Sequence, residues 1–218
     1  MIAARSEFCP LCMDEHIEEH HTYKYYKQSN MKKILTLGEH YVSDFYEPGT
    51  SEERQKYSLD LEMDETIGAA KLTEMAPSSI MWGKYWYRSG INATMKKELG
   101  NIVEEITSRV KYKKGDIWLD IACNDGTLLS QVPVEFDTVG IDPCEDSFVK
   151  ESKKHANEII QDYFSYNAWK RTAYGLDNKK ANVITTIAMF YDLMDPKPFI
   201  EDIKKVLDDD GIWVLQLS

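Results

Sequence analysis

An apolar run, Ile117-Trp118-Leu119-Asp120-Ile121-Ala122, breaks into small and polar residues, Cys123-Asn124-Asp125-Gly126-Thr127, and resumes at Leu128. A short apolar run, followed by a glycine-containing turn, predicts a buried strand that enters a tight turn. The rhythm then repeats. Strands are expected at 116–122, 138–141, 158–161, 183–190 and 211–217, with helices opening at Leu128-Leu129 and running over 148–156 and 198–207. Strands separated by helical segments imply a parallel sheet with right-handed crossovers, an α/β architecture of five strands.

Two other regions precede this one. Residues 1–75 lack a sustained helical period; His16, His20, His21 and Tyr23, Tyr25, Tyr26 crowd together, and Pro48 to Ser51 forms a turn signal. Extended runs are expected at 33–37 and 57–61, so the segment reads as a small β-rich module of the kind that often needs a metal staple. Residues 76–112 link it to the α/β domain at 113–218. There Ile91, Met95, Leu99, Ile102, Val103, Ile106 and Val110 recur every three or four residues, the stripe of an amphipathic helix. The aromatic stretch ahead of it, Trp82 to Gly90, either fills a groove between domains or serves a site.

Acidic residues number 37 against 26 basic, a net charge of −11. That excludes a basic nucleic-acid or anionic-membrane surface and suits a small-molecule ligand. No signal-peptide run or membrane-length apolar stretch is present. Cysteines are only Cys9, Cys12, Cys123 and Cys144, too sparse for a disulfide scaffold, so a cytoplasmic location is expected. Cys9 and Cys12 then read as a metal knuckle or as ordinary thiols.

The turn after the first α/β strand is the strongest candidate site, because ligands of such sheets sit outside the carboxyl ends of the strands. Asp120 would end the strand facing the ligand, and Gly126 would let the backbone approach it. With one glycine, the dinucleotide fingerprint is incomplete, which counts against a dehydrogenase. About twenty residues on, Val139-Gly140-Ile141-Asp142-Pro143 ends a second strand in an acid. Asp142 can accept hydrogen bonds from two ribose hydroxyls, or merely cap the next helix. Asp162 and Phe164, after the third strand, can hydrogen-bond and stack an adenine.

Strand-Asp-x-x-Cys-Asn-Asp-Gly-Thr followed by Gly-x-Asp-Pro resembles the Rossmann-like class I S-adenosylmethionine-dependent methyltransferases. Cys9-x-x-Cys12, Leu37-Gly38-Glu39, Tyr85-Trp86-Tyr87-Arg88-Ser89-Gly90-Ile91-Asn92-Ala93-Thr94-Met95 and Met189-Phe190-Tyr191-Asp192-Leu193-Met194-Asp195-Pro196, in that order, resemble the sugar C-methyltransferases. The resemblance covers nearly the whole chain. It implies methylation of a carbon of a nucleotide-linked deoxy-keto sugar, with S-adenosylmethionine as cofactor and a zinc-binding module at the N-terminus. It places Tyr87, Ser89 and the Asn124-Asp125-Gly126 turn near the methionine end. Asp142 and Pro143 fall at the ribose, Asp162 and Phe164 at the adenine, and Met189 to Asp192 beside the transferring methyl.

Three departures from the family pattern stand out. The family's second Cys-x-x-Cys is replaced here by Asp64 and Ile67, leaving Cys9 and Cys12 to seek further zinc ligands among His16, His20, His21, His40 or Asp64. The base expected after the fourth α/β strand is Asp192 or Tyr191, with Tyr87 nearby, rather than histidine, and the family's Glu-His pair would fall past residue 218. The sequence also stops after its fifth α/β strand, which predicts an apolar edge covered by a second polypeptide or by self-association, unless the sequence is a fragment. Rival expectations are methyl transfer to oxygen or nitrogen of a small metabolite, and a non-catalytic cofactor-binding subunit completed by a second chain.

Overall fold

The computed structural model describes residues 31–42, 55–83 and 85–217. Those residues fall into two compact units, one holding residues 31–40 and 56–75, the other chiefly residues 76–217.

In the first unit, β1 (Met31–Tyr41), β2 (Lys56–Asp64) and β3 (Ala69–Leu72) form a sheet in that order. β2 and β3 are antiparallel, in register from Leu61↔Leu72 to Asp64↔Ala69. Their connection is a tight hairpin. The Gly68 amide donates to the Asp64 carbonyl at 2.8 Å, and the Thr66 amide donates to the Asp64 carboxylate at 2.8 Å. Gly68 closes the loop at φ +71°, a left-handed angle that glycine takes without steric cost. The place expected for a second metal knuckle is therefore a hairpin turn, with the Asp64 side chain holding the backbone and Ile67 exposed at its tip. Cys9 and Cys12, with His16, His20 and His21, lie outside the described residues. Among the described residues no group of His, Cys, Asp or Glu is placed to hold a metal, so the expected zinc gains no support.

The second unit opens with α1 (Ser78–Trp82) and a 3-10 turn at Ser89–Ile91, neither anticipated, and continues into α2 (Ala93–Arg109). Asn92 caps α2: its side-chain oxygen accepts from Thr94 N at 2.9 Å and Met95 N at 3.3 Å. The cap sets the start of the helix, and Ile91 falls ahead of it, 80% exposed and off the predicted stripe. Leu99, Val103 and Ile106 are the buried members of that stripe.

The central sheet is parallel, in the order β6-β5-β4-β7-β8. Its strands are β4 (Ile117–Ile121), β5 (Asp137–Ile141), β6 (Glu158–Ile160), β7 (Ala181–Ile187) and β8 (Leu207–Gln216). All of β4 is buried, and its side chains alternate between two cores. Trp118 packs with Leu99, Val103, Leu128, Phe136 and Val183; Ile117, Leu119 and Ile121 pack with Trp169, Phe199, Ile203 and Val206. A parallel strand covered on both faces reads as an unbroken apolar run for this reason. Between strands lie α3 (Asp146–Ser152), the short α4 (Tyr166–Trp169) and α5 (Ala173–Leu176), and α6 (Pro196–Val206), capped by Asp195 with Pro196 in the first turn.

Several sequence expectations shift. The helix expected at Leu128 is only a 3-10 turn, Leu129–Gln131, because Pro133 forces Val132 into an extended conformation at ψ 137°. The expected helix over 148–156 ends at Ser152. β7 ends at Ile187 rather than at residue 190, since Ala188 turns left-handed at φ 52° and Phe190–Asp192 form a 3-10 turn. β8 begins at Leu207, ahead of the expected 211, and is irregular opposite Ala181 to Val183. Among the described residues β8 pairs only with β7. No helix among the described residues is long and apolar enough to cross a membrane.

Candidate cofactor and transfer site

Strand order reverses between β4 and β7, and there a cavity of about 270 Å³ opens at the carboxyl ends of the strands. Of the sequence-predicted residues, Tyr87, Ser89, Asp120, Asn124, Asp142, Pro143, Phe164, Met189, Tyr191 and Asp192 line it. Trp82, Tyr85, Tyr163 and Gln216 also line it and were not named singly as site residues. The aromatic stretch signalled Tyr85 and Trp82, but nothing local marked Gln216, which arrives at the end of β8.

Asp142 follows β5 and is 6% exposed. Its carboxylate accepts the Asn124 amide at 2.7 Å and the Cys144 amide at 2.8 Å, one on each oxygen. The Cys144 thiol also hydrogen-bonds to this carboxylate, which lines the cavity and, with about four lone-pair positions, can accept further. The expected choice between capping and ligand binding is thus not exclusive, because the same carboxylate ties down two backbone turns and has capacity left.

Asp120 lies at the core of the switch point, in register with Gly140 of β5 and Thr185 of β7. The Thr185 hydroxyl donates to its Oδ1 at 2.6 Å, and the Trp118 indole N–H donates to the Thr185 oxygen at 3.1 Å. Burial pushes the Asp120 carboxyl up to about 7; the Thr185 hydrogen bond opposes the rise, and the Asp142 charge adds to it. A carboxyl poised there changes charge near neutrality, with Thr185 holding its orientation. Burial also raises the Cys123 and Cys144 thiols, which leaves them inert at neutral pH.

Three predicted residues do not reach the cavity. Gly126 turns left-handed at φ +79°, and an added Cβ would lie 2.8 Å from the Ser152 Cα. Its missing side chain serves close packing on the end of α3 rather than the approach of a ligand. Asp125 turns inward, where its carboxylate accepts the Gly90 amide at 2.8 Å and the Thr127 hydroxyl at 2.6 Å. Asp162 is held in an ion pair with Arg171 and accepts the Tyr163 amide at 2.7 Å. The neighbouring Tyr163 and Phe164 take the cavity wall instead.

The mouth carries a second titratable group. Asp192 lines the cavity beyond β7, and burial raises its carboxyl above the ordinary range. Burial raises the Tyr85 hydroxyl as well, followed by the charges of Tyr191 and Asp192. A carboxylate of raised basicity beside phenol groups can take a proton from carbon while a phenol steadies the developing oxyanion.

A family model described as a methyltransferase domain matches residues 91–218. No curated protein matches. Among solved structures, the plantazolicin methyltransferase BpumL in complex with SAH matches at 16% identity and TM-score 0.41, over 55% of this chain and 44% of that one. An S-adenosylmethionine-dependent methyltransferase from Clostridium acetobutylicum matches at 16% and TM-score 0.43, over 56% and 50%. Streptomyces venezuelae DesVI matches at 17% and TM-score 0.39, over 56% and 49%. The chain spans about half the length of the solved chains it matches.

Proposed function

Because the chain belongs to the methyltransferase-domain family and carries that family's Rossmann-like class I sheet, we propose that it binds S-adenosylmethionine and methylates a carbon of a nucleotide-linked deoxy-keto sugar. The observation that carries the cofactor half of this reading is Asp142, a buried carboxylate in the cavity wall that ties down the turns at Asn124 and Cys144. Its remaining acceptor capacity suits a ribose hydroxyl. Tyr163 and Phe164 offer ring faces for the adenine, and Tyr87, Ser89 and Asn124 line the part assigned to the methionine end. The finer choice of a sugar carbon rests on the ordered motifs shared with the sugar C-methyltransferases.

When bound, S-adenosylmethionine supplies an electrophilic methyl group on a sulfonium. The chain's own part is to make the acceptor nucleophilic. Asp192, ionised, accepts the proton from the carbon next to the ketone. The C–H electron pair becomes the enolate π bond, and the ketone oxygen takes the charge. The Tyr191 or Tyr85 hydroxyl donates to that oxygen. The raised basicity of Asp192 favours the transfer, since a stronger carboxylate base lowers the barrier to removing a weakly acidic proton.

The test is calorimetric titration of the folded chain with S-adenosylhomocysteine, beside Asp142→Ala. Saturable binding is expected, weakened about 10- to 100-fold in the variant by loss of a charge-assisted acceptor. The absence of binding by a chain whose circular dichroism and melting are intact would overturn the reading.

One feature favours a second reading. The described residues that line the cavity include no histidine, so the base there is a carboxylate. Transfer to oxygen or nitrogen of a small metabolite asks less of a base. Carbon-13 NMR of the methylated product separates the two, a C–CH₃ signal supporting the first.

A further inference from the structure

Asn124 sits at the junction of two parts of the site. Its backbone is left-handed at φ 53°, a conformation asparagine tolerates better than most residues. Its amide donates to Asp142 Oδ2 at 2.7 Å. Its side chain reaches in another direction, accepting from the Ser89 amide at 3.1 Å and donating to the Tyr87 carbonyl at 3.0 Å. Next to it, Asp125 holds the Gly90 amide at 2.8 Å, and an added Cβ at Gly90 would lie 2.9 Å from that carboxylate. On the other side, Arg88 donates to the Ser147 hydroxyl at 2.7 Å and stacks 3.9 Å from the Phe148 ring centre. Tyr87 and Ser89 form cavity wall, while Arg88 between them anchors to α3.

The stretch 87–90 is therefore a strap, and one residue ties it to the carboxylate at the ribose end. We propose that Asn124 is a positioning residue that couples Asp142 to this strap. Resting on the cofactor reading above, filling the cavity at Asp142 then fixes the Tyr87–Ser89 wall through the Asn124 side chain. The physical reason is shared geometry. A ligand that immobilises the Asp142 carboxylate immobilises the Asn124 amide bonded to it. The side chain on the same residue transmits that order to two backbone groups of the strap. Ordering paid for by one ligand need not be paid again by the next, so the acceptor would meet a wall already set.

Hydrogen exchange of the Ser89 and Gly90 amides, followed by mass spectrometry on peptides spanning 85–92, reads this coupling directly. Asn124→Gly keeps the left-handed backbone and the amide bond to Asp142 but removes both side-chain bonds. Asn124→Asp keeps the acceptor for Ser89 and loses the donor to Tyr87. Without ligand, exchange in the strap is expected to be about tenfold faster in Asn124→Gly than in the native chain, with Asn124→Asp between them. Asp142→Ala is expected to speed strap exchange in the native background and to add nothing in Asn124→Gly. Equal effects of Asp142→Ala in both backgrounds would overturn the coupling. So would native-like strap exchange in Asn124→Gly. The cycle needs no ligand, so it stands apart from the cofactor reading. S-adenosylhomocysteine at saturation is then expected to slow the strap further in the native chain and not in Asn124→Gly. If the nucleoside fails to bind the folded native chain, the cofactor reading falls and the cycle still decides the coupling. If it binds and slows both strap peptides alike, the coupling falls and the cofactor reading stands.

Discussion

Asp120→Asn is expected to flatten the loss of stability that the native chain shows as pH rises from about 4 to 8. Burial puts the folded carboxyl at about 7, against 3.8 for the free side chain. Between those values the folded chain holds a proton that the unfolded chain has released. Stability is therefore fullest below the unfolded value and is lost as pH rises through the folded one. By pH 8 the native chain forgoes on the order of 4 kcal/mol, taking 1.36 kcal/mol for each pH interval between the two values. Asparagine cannot ionise, yet its carbonyl still accepts the Thr185 hydroxyl. Urea unfolding of both chains at pH 4.5, 6 and 8 measures the difference, in which the titration of all other groups cancels to first order. The variant should gain on the native chain at each step. Parallel curves would show that Asp120 ionises normally in the fold. Thr185→Val, which removes the hydroxyl that steadies the charge, should steepen the native slope.

Gly126→Ala is expected to cost about 2–5 kcal/mol, a large part of a typical domain's stability. Two effects add. The left-handed φ of +79° charges an L side chain about 1–2 kcal/mol. The new Cβ then meets the Ser152 Cα at 2.8 Å and its Cβ at 3.1 Å, and α3 must retreat at an overpacking cost of about 1–3 kcal/mol. Gly115→Ala isolates the first effect, since Gly115 is also left-handed, at φ +90°, with nothing within 4 Å of an added Cβ. Denaturant melts of the two variants, subtracted, give the packing contribution. Equal losses would mean that α3 yields freely. Because Gly126 lies one residue from Asp125, which holds Gly90, the retreat should also loosen the strap.

Much of this site was legible because its logic is local. The apolar run of β4 had to be buried, the small residues after it had to turn, and Asp142 had to stand one strand away. These follow from short stretches read singly. What escaped depends partly on a nearby proline or arginine and partly on residues meeting across the fold. Asp162 looked available in sequence, but Arg171 folds back onto it, and an aromatic neighbour becomes the wall. Leu128 and Leu129 looked like a helix until Pro133 stopped them within a turn. Asn124 and Asp125 were read as approaching a ligand. Asn124 does line the cavity, but both side chains also reach a segment thirty-five residues earlier, a partnership no local period encodes. Gly126 was singled out to let the backbone approach a ligand, whereas what presses against it is α3. Cys9 and Cys12 lie outside the described residues, so the knuckle keeps only its sequence pattern.

The order β6-β5-β4-β7-β8 divides the sheet into two stretches of neighbours in sequence, β4-β5-β6 and β7-β8. A single seam, β4 against β7, joins them. Asp120 faces Thr185 across it, sixty-five residues apart, and closing so wide a loop carries the largest entropic cost in this sheet. Neither stretch alone possesses the cavity, because Asp120 and Asp142 belong to one and Met189, Asp192 and Gln216 to the other. On a ribosome, then, the cavity is not complete until β8 has emerged and the seam has shut. Ligand affinity thus becomes a report on whether synthesis and assembly of the sheet have finished.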